Sequence, residues 1–123
     1  MTKATTEIWD QPGEATVYRQ ETRSLGGVDF TLTRRSLSYP EEVRFMAEAK
    51  DEKTKLIDWM EFLALAVEAT VKYSEFGLTA DRVRTSLPDR PEMAWFFIKW
   101  ICGNTLQNAK PDAWEDLRKK HGP

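Results

Sequence analysis

The chain has 123 residues, 18 of them basic and 20 acidic, for a formal net charge of −2. Its length fits a single domain, 1–123, with a core of its own, and 41% hydrophobic with 31% charged residues marks a globular chain rather than a disordered one. So even a charge balance leaves no electrostatic footprint for nucleic acid or an anionic membrane. The single cysteine, Cys102, excludes an internal disulfide and a cysteine-based zinc site.

The first 14 residues read as an arm. They carry Thr2, Thr5 and Thr6, and end in the turn signal Gln11-Pro12-Gly13. Residues 15–36 have a period of two. Val28, Phe30 and Leu32 face one way and Asp29, Thr31 and Thr33 the other, and Gly26-Gly27 is a hairpin connection. The expected hairpin pairs about 15–23 with 28–35. A lone two-stranded ribbon is marginal, so it must pack on helices.

At Ser38 the period changes to 3.6. Pro40, Glu41 and Glu42 open a helix that runs to about Lys50, with Val43, Met46 and Ala47 as its apolar stripe and Phe45 beside it. The next helix is expected over 54–76, ending at Gly77. Leu56, Met60, Leu63, Val67 and Val71 share one face, and Asp58, Glu61, Glu68, Lys72 and Glu75 share the wet one. Leu65 stands among those charges. Thr79 caps a short helix over 80–86, and Pro91 opens another over 91–102, with Gly103 as its stop. This last helix is apolar all round: between Met93 and Cys102 only Lys99 is polar. A terminal helix is expected over 111–120, with acids first and bases last, matching the helix dipole. The fold class expected is therefore α+β and mostly α: an N-terminal β-hairpin packed on a bundle of four to five helices in 38–120.

The chemical repertoire is thin. Cys102 lies in an apolar helix, which raises a thiol pKa, and the only histidine, His121, stands three residues from the end. Asp58/Glu61 and Glu68/Glu75 could act as carboxylate pairs, but their spacing with Lys72 is that of a solvated helix face. Gly26-Gly27 lacks the Lys-Ser/Thr of a phosphate loop. Arg34-Arg35 is too small a basic group for a nucleic-acid site. A helix-turn-helix over 79–101 would offer Trp-Phe-Phe-Ile to base edges, which they cannot read. Neither catalysis, metal nor cofactor is expected. No apolar run approaches the roughly 20 residues that span a bilayer. The beginning lacks the apolar stretch of a signal peptide, so the expected location is the cytoplasm. The positive signal is the aromatic helix. One reading makes it a central core helix, buried all round; the other is that so short a chain cannot enclose it fully, and on that reading Trp95, Phe96 and Trp100, with Leu65 as a second contact, are the candidate partner-binding residues.

The order of these elements carries a resemblance. A polar beginning precedes Gly27-Val28-Asp29-Phe30-Thr31-Leu32-Thr33. Then follow Leu37-Ser38-Tyr39-Pro40-Glu41-Glu42, an apolar helix over 58–73 and a further helical half. This layout, over about 25–103, resembles the tail assembly chaperones of long-tailed (siphovirus-type) bacteriophages. The resemblance implies a small, mostly helical, non-catalytic protein of the host cytoplasm. It would bind the hydrophobic, helical tape-measure protein, keep it soluble and recruit tail-tube subunits. It assigns no individual residue a role. Self-association is compatible with the same surface. The competing reading is a small phage-encoded inhibitor or regulator that binds a host protein.

Overall fold

The computed structural model describes residues 16–108; the expected arm at 1–14 and terminal helix at 111–120 lie outside the described residues. The fold is α+β: a three-stranded antiparallel sheet with four α-helices among the described residues. Strands β1 (Arg19–Leu25) and β2 (Val28–Arg34) form the hairpin, paired from Leu25↔Val28 to Arg19↔Arg34. The turn consists of Gly26 and Gly27 alone, at φ +58° and +82°. Positive φ at both central residues suits the right-handed twist of the strands. A Cβ at either position would meet nothing within 4 Å, so glycine is there for its backbone freedom, not for space. This two-residue turn sets the register, and β1 runs over Arg19–Leu25 rather than about 15–23, starting four residues and ending two residues later.

Helix α1 (Tyr39–Glu48) begins with a reciprocal capping box. The Ser38 hydroxyl accepts from the Glu41 N–H, and the Glu41 carboxylate accepts from the Ser38 N–H. Its buried face is Phe45 and, just past the helix, Ala49, whereas Val43 is 50% exposed and Ala47 is exposed. The expected stripe of Val43, Met46 and Ala47 is thus rotated away from the core, and only Met46 packs partly against it. One large ring, Phe45, outweighs two small side chains in deciding which face turns inward.

Helix α2 spans Trp59–Thr70, not 54–76. Asp58 caps it, accepting from the N–H groups of Met60 and Glu61. Residues 51–57 form a loop closed by the Asp51 N–H bond to the Leu56 carbonyl, with Lys55 at φ +63°. At the other end the chain turns extended, and Val71–Ser74 is strand β3 on the second edge of β2. The cause is Arg35. Its backbone N–H bonds the Thr70 carbonyl at 3.1 Å and its guanidinium donates to the Ala69 carbonyl at 2.9 Å. Carbonyls that a longer helix would satisfy internally are therefore taken by Arg35, the residue just past β2, and the helix stops.

Helix α3 (Ala80–Ser86) is capped by Thr79, and a 3-10 turn, Leu87–Asp89, leads into α4 (Pro91–Asn108). Helix α4 does not end at Gly103. It bends at Cys102 (φ −111°, ψ 17°) and continues. The core lies where α2 meets α3, α4 and the inner sheet face. Leu32, Phe62, Leu63, Ala66, Val83 and Ile98 have no exposed surface there. Helix α2 is the central helix: Trp59, Met60, Phe62–Ala64, Ala66, Val67 and Thr70 are all buried. Glu68 is exposed, and Glu61 pairs with Arg84 at 2.8 Å.

Two expectations follow. Leu63→Ala should cost about 2–5 kcal/mol in denaturant melts, whereas Glu68→Ala should stay within about 0.5 kcal/mol. The second concerns pH. Hydrogen bonding from Arg35, at 2.7 and 2.8 Å, holds the Glu41 carboxyl down at about 2, against an ordinary 4.5. The folded form therefore binds the Glu41 proton less readily than the unfolded chain. Stability from this pair is complete above about pH 4.5 and declines as the pH falls towards 2. Glu41→Gln should flatten the pH dependence of the melting temperature across that window.

Candidate functional site

The surface singled out by the sequence is built on α4. Rotation along the helix at 100° per residue turns Ala94, Phe97, Ile98 and Ile101 into the core, and leaves Glu92 and Lys99 in solvent. Phe96 and Trp95 border the solvent stripe from opposite sides, both half-buried. Trp100 is buried, with 3% of its surface exposed. Leu65, on α2, is half-buried against the same core. The helix is thus less uniformly enclosed than its composition suggests. Trp100 has almost no surface to offer a partner, while Phe96 and Trp95 have some.

Phe96 belongs to a continuous ring cluster. Its centroid lies 5.5 Å from Phe30 of β2, 5.1 Å from Phe97 and 5.7 Å from Trp100. Phe30 stands edge-on to Phe76 at 4.8 Å. The cluster fastens the hairpin's inner face to α4. Edge-to-face and tilted ring pairs of this kind add about 0.5–1.5 kcal/mol each beyond their buried area.

Beside the rings lies a polar junction that sequence reasoning missed. The Trp100 Nε1–H donates to Glu21 Oε1 at 2.7 Å, and Arg34 Nη1 donates to the same oxygen at 3.1 Å. Arg34 Nη2 reaches the Ile101 carbonyl, at the bend of α4, at 3.5 Å. Burial would push the Glu21 carboxyl up, but the Trp100 hydrogen bond and the Arg34 charge outweigh it. Its pKa falls below the ordinary value. Arg23 lies over the Trp100 ring at 5.3 Å, a cation–π contact. The only advance signal was the alternation Arg19, Glu21, Arg23, which places charges on the strand face that turns towards α4.

Elsewhere the chemistry is sparse. A cleft of about 480 Å³ opens between the end of α2, β3 and the start of α3. Its floor includes Val67 and Leu78, and its rim Glu68, Lys72, Tyr73 and Asp81. Burial pushes the Cys102 thiol well above its ordinary pKa, so it is no nucleophile at neutral pH. Among the described residues no group of three or more His, Cys, Asp or Glu is placed to hold a metal ion. None of their helices is long and apolar enough to cross a membrane. The chain matches no protein-family model, no curated protein and no solved structure.

The junction makes a direct prediction. Trp100→Phe keeps a ring against Phe96 and Phe97 but removes the donor to Glu21. Loss of a hydrogen bond to a charged group should cost about 1.5–3 kcal/mol in chemical melts. An unchanged melting curve would show that the bond contributes nothing.

Proposed function

We propose that the protein binds a hydrophobic helix of another protein without catalysis, through the solvent margin of α4, in the manner of a phage tail assembly chaperone. The observation that supports this reading is the placement of Phe96 and Trp95. Both keep exposed surface on a helix whose Phe97, Ile98, Trp100 and Ile101 are buried in the core. A half-buried aromatic on a rigid helix is the kind of residue that anchors protein contacts. On this reading the partner is the tape-measure protein, a long apolar helix-former that needs cover before assembly, and tail-tube subunits are recruited to the complex. The site of action is the bacterial host cytoplasm. Leu65 is retained as a secondary contact. Trp100 serves the site from beneath by holding Phe96 in place at 5.7 Å.

The experiment is co-expression with a tape-measure protein of a long-tailed phage. Phe96→Ala and Trp95→Ala should remain folded by melting temperature, and at least one should weaken co-purification by about 2 kcal/mol, or roughly thirtyfold. Soluble tape-measure protein should fall in parallel. Undiminished capture by both folded variants would remove the α4 margin as the binding surface.

A further inference from the structure

The solvent stripe of α4 has an order along its length. At 100° per residue Glu92 and Lys99 fall within about 20° of one line along the helix, with Trp95 about 60° to one side and Phe96 about 40° to the other. Glu92 and Lys99 are exposed, and both rings are half-buried. The stripe therefore reads acid, two aromatics, base, from the first turn of α4 towards the bend at Cys102. The two charges lie seven residues apart, about 10.5 Å along the axis, too far to pair with each other. Neither forms an ion pair among the described residues. Their sum is zero, so on balance the stripe favours neither an acidic nor a basic partner. What the two charges supply is direction.

We propose that the occupant of this stripe is a second copy of the chain, with its α4 packed antiparallel to the first. Residues 92 and 99 are equidistant from a point midway between Trp95 and Phe96. A two-fold axis through that point sets Glu92 of each copy opposite Lys99 of the other. It brings the Phe96 rings together on one side and the Trp95 rings together on the other. Both ends are matched by the same operation, as an isologous interface requires. A parallel pair sets Glu92 beside Glu92 and Lys99 beside Lys99, so the charges select the antiparallel arrangement. Each Phe96 is braced by Phe97 and Trp100, at 5.1 and 5.7 Å, and so presents a fixed apolar surface at the centre. About two helical turns make a small interface, of the kind that gives a weak, exchanging dimer. Dimerisation of this kind does not rest on the helix-binding function above, since a second copy needs no other partner. Where both hold, the two occupants compete for one surface.

Sedimentation velocity on the full chain, over a range of concentrations, tests this. The wild type should show a reversible monomer–dimer equilibrium. Symmetry doubles every change at the interface, so Glu92→Lys or Lys99→Glu replaces two attractive contacts by two like-charge ones. Each should weaken the dimer roughly tenfold at about 0.05 M salt, and less at about 0.5 M. The double variant, Glu92→Lys with Lys99→Glu, restores the complementary order and should dimerise within about threefold of the wild type. An equimolar mixture of the two single variants should form a heterodimer in preference to either homodimer. Both positions are exposed, so melting temperatures should stay within a few degrees. A wild type that stays monomeric up to about 0.5 mM, single variants that dimerise as well as the wild type, or a double variant no better than the singles, overturns the second copy as occupant. Each of these results leaves the helix-binding function standing.

Discussion

Two neighbouring guanidinium groups at the end of β2 hold the sheet to three of the four helices. Successive residues of a strand point to opposite faces, so Arg34 and Arg35 reach opposite ways. Arg35 clamps the Glu41 carboxylate of α1 with two bonds and takes the Ala69 carbonyl at the end of α2. Arg34 reaches across β1 to Glu21, and on to the bend of α4. Removing an arginine from water costs several kcal/mol unless its donors are matched. On the Arg35 side they are matched closely, at 2.7–2.9 Å. On the Arg34 side the contacts are 3.1 and 3.5 Å, and the buried Nε has no hydrogen-bond partner among the described residues. The joint between the sheet and α1–α2 is therefore firm, and the joint between the hairpin and α4 is the looser one.

That asymmetry bears on where a partner would dock. A firm side supplies the rigid frame, and it carries the central helix α2. The looser side carries the ring cluster and the half-exposed Phe96, on which the proposed function turns. Aromatic contacts compensate for the poorer polar match there. Phe30 alone meets Phe76, Phe96 and Phe97 at 4.8–5.6 Å. Such a surface can adjust its side chains without disturbing the α2 core, because the load-sharing partner Trp100 lies beneath it and not in it.

What the sequence made legible was local. Ser38 with Glu41, Thr79 and Gly26-Gly27 act through atoms a few residues away, and each stands where its chemistry demands. What it hid depended on distant partners. Val71 continues the helical spacing of Leu63 and Val67, so nothing nearby says that the chain turns extended at that point. Arg35, 35 residues earlier in the chain and paired there with Thr70, is what says so. Likewise Val43 and Ala47 have a proper helical spacing, and only the packing of Phe45 and Ala49 against α2 shows that they face out. Arg34-Arg35, dismissed as too few charges for nucleic acid, proved structural. At the candidate site the aromatic helix was visible in composition alone. The division of its rings into buried Trp100 and half-exposed Phe96 and Trp95 needed the sheet that lies over it.

The bend of α4 at Cys102 has a consequence of a different kind. The thiol is the chain's only one, has 1% of its surface exposed, and sits where α4 turns over Arg34. An alkylating reagent cannot meet the thiolate until that bend separates from β2. The rate of irreversible labelling of the native protein is then a clock for one opening event, without any engineered probe. Read against denaturant, it distinguishes detachment of the hairpin from α4 from unfolding of the whole chain, since only the latter also exposes the interior of α2.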